Sequence, residues 1–92
     1  MILKISKMIF KMISTDQIRA ARALLRWTAQ KLADVSGVGV ATIRRIELMD
    51  GVPSGQVRTI EALRSALEDA GVEFVGSPGD RPGVRLKLAG DK

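Results

Sequence analysis

Residues 32–47 read LADVSGVGVATIRRIE. Leu32, Ala33, Val38, Ile43 and Ile46 have the spacing of two short helices sharing one core, and Ser36-Gly37 stands between them. Glycine adopts a left-handed backbone at little cost, so Gly37 is the natural place for a sharp turn. The helix after it runs from near Gly39 to about Leu48. Ile43 and Ile46 are its inner positions, and Val40, Ala41, Thr42, Arg44 and Arg45 its outer ones.

Working outward, Ser14 with Gln17 three places on has the form of a capping box, and Asp16 suits the positive end of a helix dipole. A first helix to about Arg26 places Ile18, Ala21 and Leu25 on one face, with Trp27 as a core plug behind it. Thr28 can cap the second helix. Asp50-Gly51-Val52-Pro53 reads as a loop, and Ser54 can cap a fourth helix from about Gln56 to Ala70. Val57, Ile60, Leu63 and Leu67 form its expected buried stripe, while Arg58, Glu61, Arg64 and Glu68 alternate in sign along the solvated side. Gly71 ends it. Val72–Val75, the turn-rich GSPGDRPG and Val84–Leu88 then read as a β-hairpin with a long loop.

The expected fold is therefore mainly α, four short helices followed by a C-terminal hairpin. The expected divisions are residues 1–13 as an N-terminal extension, 14–71 as the helical domain, and 72–92 as hairpin and tail. In the extension, Ile2, Ile5, Ile9 and Met12 recur at helical spacing with Lys4, Lys7 and Lys11 on another face, yet its Ile and Phe content also suits a strand, and a disordered extension is the third reading. The three lysines interrupt every apolar run short of an export signal, and no stretch is long enough to span a membrane.

With 92 residues there is room for one modest core. Aromatic content of 3% leaves aliphatic side chains and alanine to fill it. The net charge of +5 points toward polyanions. It is unevenly spread: three basic and no acidic residues in 1–13, eight and seven in 14–70, four and three in 71–92, or +3, +1 and +1. Placement of the central arginines therefore matters more than bulk charge. The absence of cysteine and histidine excludes disulfides, thiol nucleophiles, Ser-His catalysis and Cys/His zinc sites. It is compatible with the reducing cytoplasm. No pair of catalytic groups converges in the sequence, so neither an enzyme nor a cofactor is expected.

Two helices joined by a tight glycine turn, the second with a polar and basic outer face, form the arrangement that lays a helix in the DNA major groove. Arginine presents a planar fork that matches guanine O6 and N7 or two phosphate oxygens. Neighbouring helix positions point about 100° apart, so one arginine can read a base while the other reaches the backbone. Arg45 is the candidate reader, and the small Val40 and Ala41 permit close approach and contact with thymine methyls.

These residues carry a resemblance. Residues 14–70, with IRAARALLRWTAQKLADVSGVGVATIRRIE, Ala33, Gly37, Val38, Ile43, Ile46 and the Glu47–Gly51–Pro53 exit, resemble the Cro/C1-type, or Xre-like, helix-turn-helix regulators. The tail GVEFVGSPGDRPGVRLK is similar to the ending of many small members, which often begin near the position of Met12. The resemblance implies a lambda-repressor-like bundle. It implies that Val40, Ala41 and Arg45 face base edges, that Thr42 and Arg44 lie near the backbone or flanking bases, and that the start of the second helix at Thr28 anchors a phosphate. Here the sequence departs from the family pattern: Ala29 replaces a common glutamine, with Gln30 one place later, and Gly39 replaces the usual Ser or Thr cap.

The expectation is a sequence-specific regulator binding double-stranded DNA as a homodimer without cofactor, paired through the hairpin edge around Val84–Leu88 with or without residues 2–10. The alternative is a protein-binding adaptor, an antitoxin or antiactivator, that keeps the same scaffold to grip a protein partner.

Overall fold

The computed structural model describes residues 12–53, 55 and 57–87. Helices α1 (Thr15–Leu25), α2 (Ala29–Ser36), α3 (Val40–Glu47) and α4 (Val57–Asp69) precede strands β1 (Val72–Ser77) and β2 (Asp80–Leu86). The element order is the expected one. The readings placed on residues 1–11, Ser54, Gln56 and Leu88 lie outside the described residues.

Each boundary has a local cause. Ser14 Oγ accepts from the Gln17 amide at 3.1 Å, while Gln17 Oε1 accepts from the Ser14 amide at 2.8 Å, completing the box that starts α1. Arg26 closes α1 with a left-handed backbone at φ 58. Thr28 Oγ1 then accepts from the Lys31 amide at 3.0 Å and starts α2. Gly37, at φ 79, ends α2 by donating to the Ala33 carbonyl at 2.9 Å.

Ile13, Ile18, Leu32, Ile43, Leu63 and Leu67 are fully buried and make the centre of the core. The hairpin completes it, for Val72 and Phe74 are buried in the same cluster. Trp27 is not the enclosed plug that the sequence suggests. It is half-buried against the core's edge, with the Lys31 ammonium 5.7 Å from its ring centroid.

Two further expectations are corrected. Val57 is on the right side of α4 but is 55% exposed, and Ala66 takes a buried place alongside Ile60, Leu63 and Leu67. Val57 is the first residue of α4, where helical phase alone does not secure burial. The long hairpin loop is also absent. The strands continue to Ser77 and Asp80 around Pro78-Gly79, and between the Val75↔Gly83 and Ser77↔Asp80 pairs Arg81 and Pro82 face Gly76 alone. This bulge absorbs the extra residue that the sequence reading assigns to a loop.

Gln17 ties the hairpin to the helices. Its side-chain amide donates to the Val75 and Gly83 carbonyls, both at 3.0 Å. Together with the bond from Ser14, this uses both donors and the acceptor of a side chain that has almost no access to water.

Candidate nucleic-acid interface

A helix that enters DNA needs a fixed back end and a free face. The back end of α3 is fixed from α1. Glu47, buried despite its charge, receives two hydrogen bonds from Arg22, Nε to Oε2 at 2.9 Å and Nη2 to Oε1 at 2.8 Å. Arg22 Nη1 also donates to the Trp27 carbonyl at 2.9 Å, so the one guanidinium joins α1, the link between α1 and α2, and the end of α3. Arg19 Nη1 donates to the Glu47 carbonyl at 3.0 Å, and Thr15 Oγ1 to the Met49 carbonyl at 2.9 Å. The hydrogen bonds to Glu47 hold the Arg22 pKa above its ordinary value and outweigh the opposing effect of burial.

The front end is open by contrast. Gly39 stands at the N-cap of α3 with no side-chain bond to the first turn. Ile43 and Ile46 are buried, whereas Ala41, Arg44 and Arg45 are exposed. Leu48, 85% exposed, continues that stripe at positions i, i+3, i+4 and i+7. Among the described residues, Arg44 and Arg45 have no hydrogen-bond or ion-pair partner. Arg19, Arg22, Arg64, Arg81 and Arg85 are all paired with carboxylates. Arg26 and Arg58 are likewise exposed and unpaired among the described residues, so what sets Arg44 and Arg45 apart is their adjacency on the exposed face of α3.

The other expected site residues divide. Val40, expected outward, is half-buried and packs against the core, because it lies three residues before Ile43 on the inner edge of the same turn. Thr42 is half-buried as well. Thr28 is exposed, but its hydroxyl is occupied by the α2 cap. Gln30 is exposed, and its amide donates to Asp34 Oδ1 at 3.0 Å.

Sequence reasoning missed Arg22, Arg19 and Leu48, and it gave Glu47 no partner. One signal for Glu47 was available: it follows Ile43 by four residues on an apolar stripe, and a carboxylate there requires a cation. Its identity, Arg22 at a separation of 25 residues, has no local signature.

Comparison with known proteins follows the same segment. Residues 18–57, from the first turn of α1 to the first residue of α4, match the family model described as Helix-turn-helix. The match supports a helix-turn-helix of the Cro/C1 type over this segment. No curated protein matches the chain. The matched segment contains α2, α3 and both members of the Arg22–Glu47 pair, while the hairpin lies beyond it. Four helices followed by a two-stranded hairpin are consistent with a lambda-repressor-like helix-turn-helix fold, and the matched segment supports a DNA-binding helix-turn-helix regulator. Among the described residues, no helix is long and apolar enough to cross a membrane.

Proposed function

We propose that the protein is a cytoplasmic, sequence-specific regulator that lays α3 in the major groove of an operator and acts as a homodimer on two related half-sites. The observation that supports this most is the unpaired Arg44–Arg45 pair on the exposed stripe of a helix anchored from behind. Arg45 is assigned to a base edge, and Arg44 and Thr42 to the backbone or flanking bases. Gly39, Ala41 and the outward edge of Val40 allow close approach. Thr28 and Gln30 serve phosphates, with Gln30 exchanging Asp34 for the duplex.

A single unit of this size touches too few base pairs for high specificity, and two units about 34 Å apart, one helical turn, remove that limit. The outer edge of β2 suits the pairing, since Leu86 is exposed there and, among the described residues, the sheet holds β1 and β2 alone. Removing the hairpin is an unsuitable test, because Val72 and Phe74 belong to the core. Leu86→Lys in the full chain is expected to halve the sedimenting mass, and an unchanged mass argues against this surface.

The central test is Arg45→Ala in a mobility-shift assay with DNA selected from random fragments. The expected loss is about 1–3 kcal/mol with relaxed specificity at one base pair. The Gln30–Asp34 hydrogen bond favours a second reading, the adaptor, because it occupies the amide nearest the expected phosphate anchor and leaves a carboxylate beside it. An unaltered shift from a folded Arg45→Ala variant transfers weight to that reading.

A further inference from the structure

The outer face of α4 carries two charges that its own chain leaves open. The helix holds Arg58, Glu61, Arg64, Glu68 and Asp69, and Arg64 pairs with both Glu61 and Glu68. Arg58 and Asp69 remain: both are exposed, and among the described residues neither has a hydrogen-bond or ion-pair partner. They stand at opposite ends of α4, about 16 Å apart along its axis, and so cannot meet within one helix. Both are also placed against the helix dipole. A cation near the N-terminus and an anion at the C-terminus are each unfavourable there, and α4 has no acidic residue in its first turn and no basic one in its last to offset them.

We infer that this face docks on the same face of a second copy of the chain, antiparallel about a two-fold axis. Arg58, Ala62, Ser65 and Asp69 recur at i, i+4, i+7 and i+11, which places them on a single stripe of α4. The pairs Arg58/Asp69 and Ala62/Ser65 share one midpoint, at the Leu63-Arg64 peptide. A two-fold axis through that point sets each Arg58 against the second copy's Asp69 and each Ala62 against the second copy's Ser65. The charges that one chain cannot join are then joined twice, and each helix end receives a charge of the sign its dipole favours. Ser65 is exposed and Ala62 half-buried, and side chains this short let two helix axes approach to about 8 Å. The stripe matches its own reversal, which selects a copy of this chain over an unrelated helix. Exposed ion pairs contribute little singly, so the contact is weak and fills at millimolar protein. It uses no residue of the β2 edge.

Charge reversal in the full chain tests the inference without DNA, in a Leu86→Lys background so that the hairpin edge does not contribute. Arg58→Asp and Asp69→Arg each suit the helix dipole better than the parent residue, so both variants should fold with thermal midpoints no lower than the background's. Sedimentation equilibrium at millimolar protein should show self-association of the background chain and a loss of about tenfold or more in each single variant. Mixing the two variants in equal amounts should restore it, since opposite charges then face each other at both ends. A mixture no more associated than either variant alone would overturn the inference. A background chain that stays monomeric would also overturn it and leave the stripe to a different protein. If Leu86→Lys leaves the mass of the parent unchanged while Arg58→Asp lowers it, the hairpin edge fails and this contact stands.

Discussion

Arg22 on α1 and Glu47 in the last turn of α3 form a two-pronged ion pair across the helical bundle, with hydrogen bonds of 2.9 and 2.8 Å. The contact holds the C-terminal end of α3, because Glu47 is buried while its neighbours Arg44 and Arg45 are in water. Removing one partner leaves the other charge poorly solvated. Arg22→Ala or Glu47→Ala is therefore expected to destabilise the fold by about 2–4 kcal/mol in chemical denaturation, and the double variant by less than the sum. Arg22→Lys keeps the charge but loses the fork and should fall between. The raised Arg22 pKa contributes stability that is complete below the unfolded arginine value and is lost only as pH rises through the higher folded one. From the guanidinium, then, no pH dependence is expected between about pH 5 and pH 9.

Gln17→Ala removes the bonds to Val75 and Gly83 and half of the α1 capping box. It leaves two part-buried carbonyls without their side-chain partner, which should cost about 2–4 kcal/mol. Hydrogen exchange provides the sharper measurement. Amides of β1 and β2 should lose protection before those of α2 and α3, and uniform loss throughout the fold would show that Gln17 is not the hairpin's particular tie.

The bulge makes a prediction about two glycines close in sequence. A Cβ on Gly76 would sit 2.1 Å from the Arg81 carbonyl oxygen, and its φ of +70 also disfavours any side chain. Gly76→Ala should cost about 2–4 kcal/mol. At Gly79 an added Cβ meets nothing within 4 Å. Gly79→Ala should stay within about 0.5 kcal/mol of the parent, and equal losses at the two positions would rule out the bulge.

Arg44 and Arg45 should be separable by salt. If Arg44 reaches a phosphate, Arg44→Ala should weaken binding to all DNA sequences alike and reduce the log K against log salt slope by about 0.9. Arg45→Ala should leave the slope nearly unchanged while narrowing the gap between selected and random DNA. Binding titrations from about 50 to 200 mM salt read both quantities.

Much of the fold was written locally. The Ser14–Gln17 box, the Thr28 cap, the Gly37 turn and the inward phase of Ile43 and Ile46 depend on residues within one or two helical turns of each other, so spacing and side-chain type suffice to read them. The same holds for the exposure of Arg44 and Arg45, which follows once the isoleucines turn inward. Val40 lies inward of its expected place because an eight-residue helix has few turns in which to separate face from edge. The hairpin loop is shorter than its sequence suggests because glycine and proline mark a bulge in a strand as readily as a loop.

By itself, then, the sequence determined the order of elements, their caps and the pair of arginines offered on the third helix, since these follow from short-range backbone geometry and periodicity. Tertiary structure alone decided how that helix is held and what closes the core: Arg22 meeting Glu47, Gln17 reaching both strands, and Phe74 entering among the helices. Those contacts join residues far apart in the chain. Their partners are selected by burial, which requires every enclosed charge and amide to find a complement wherever the fold brings one near.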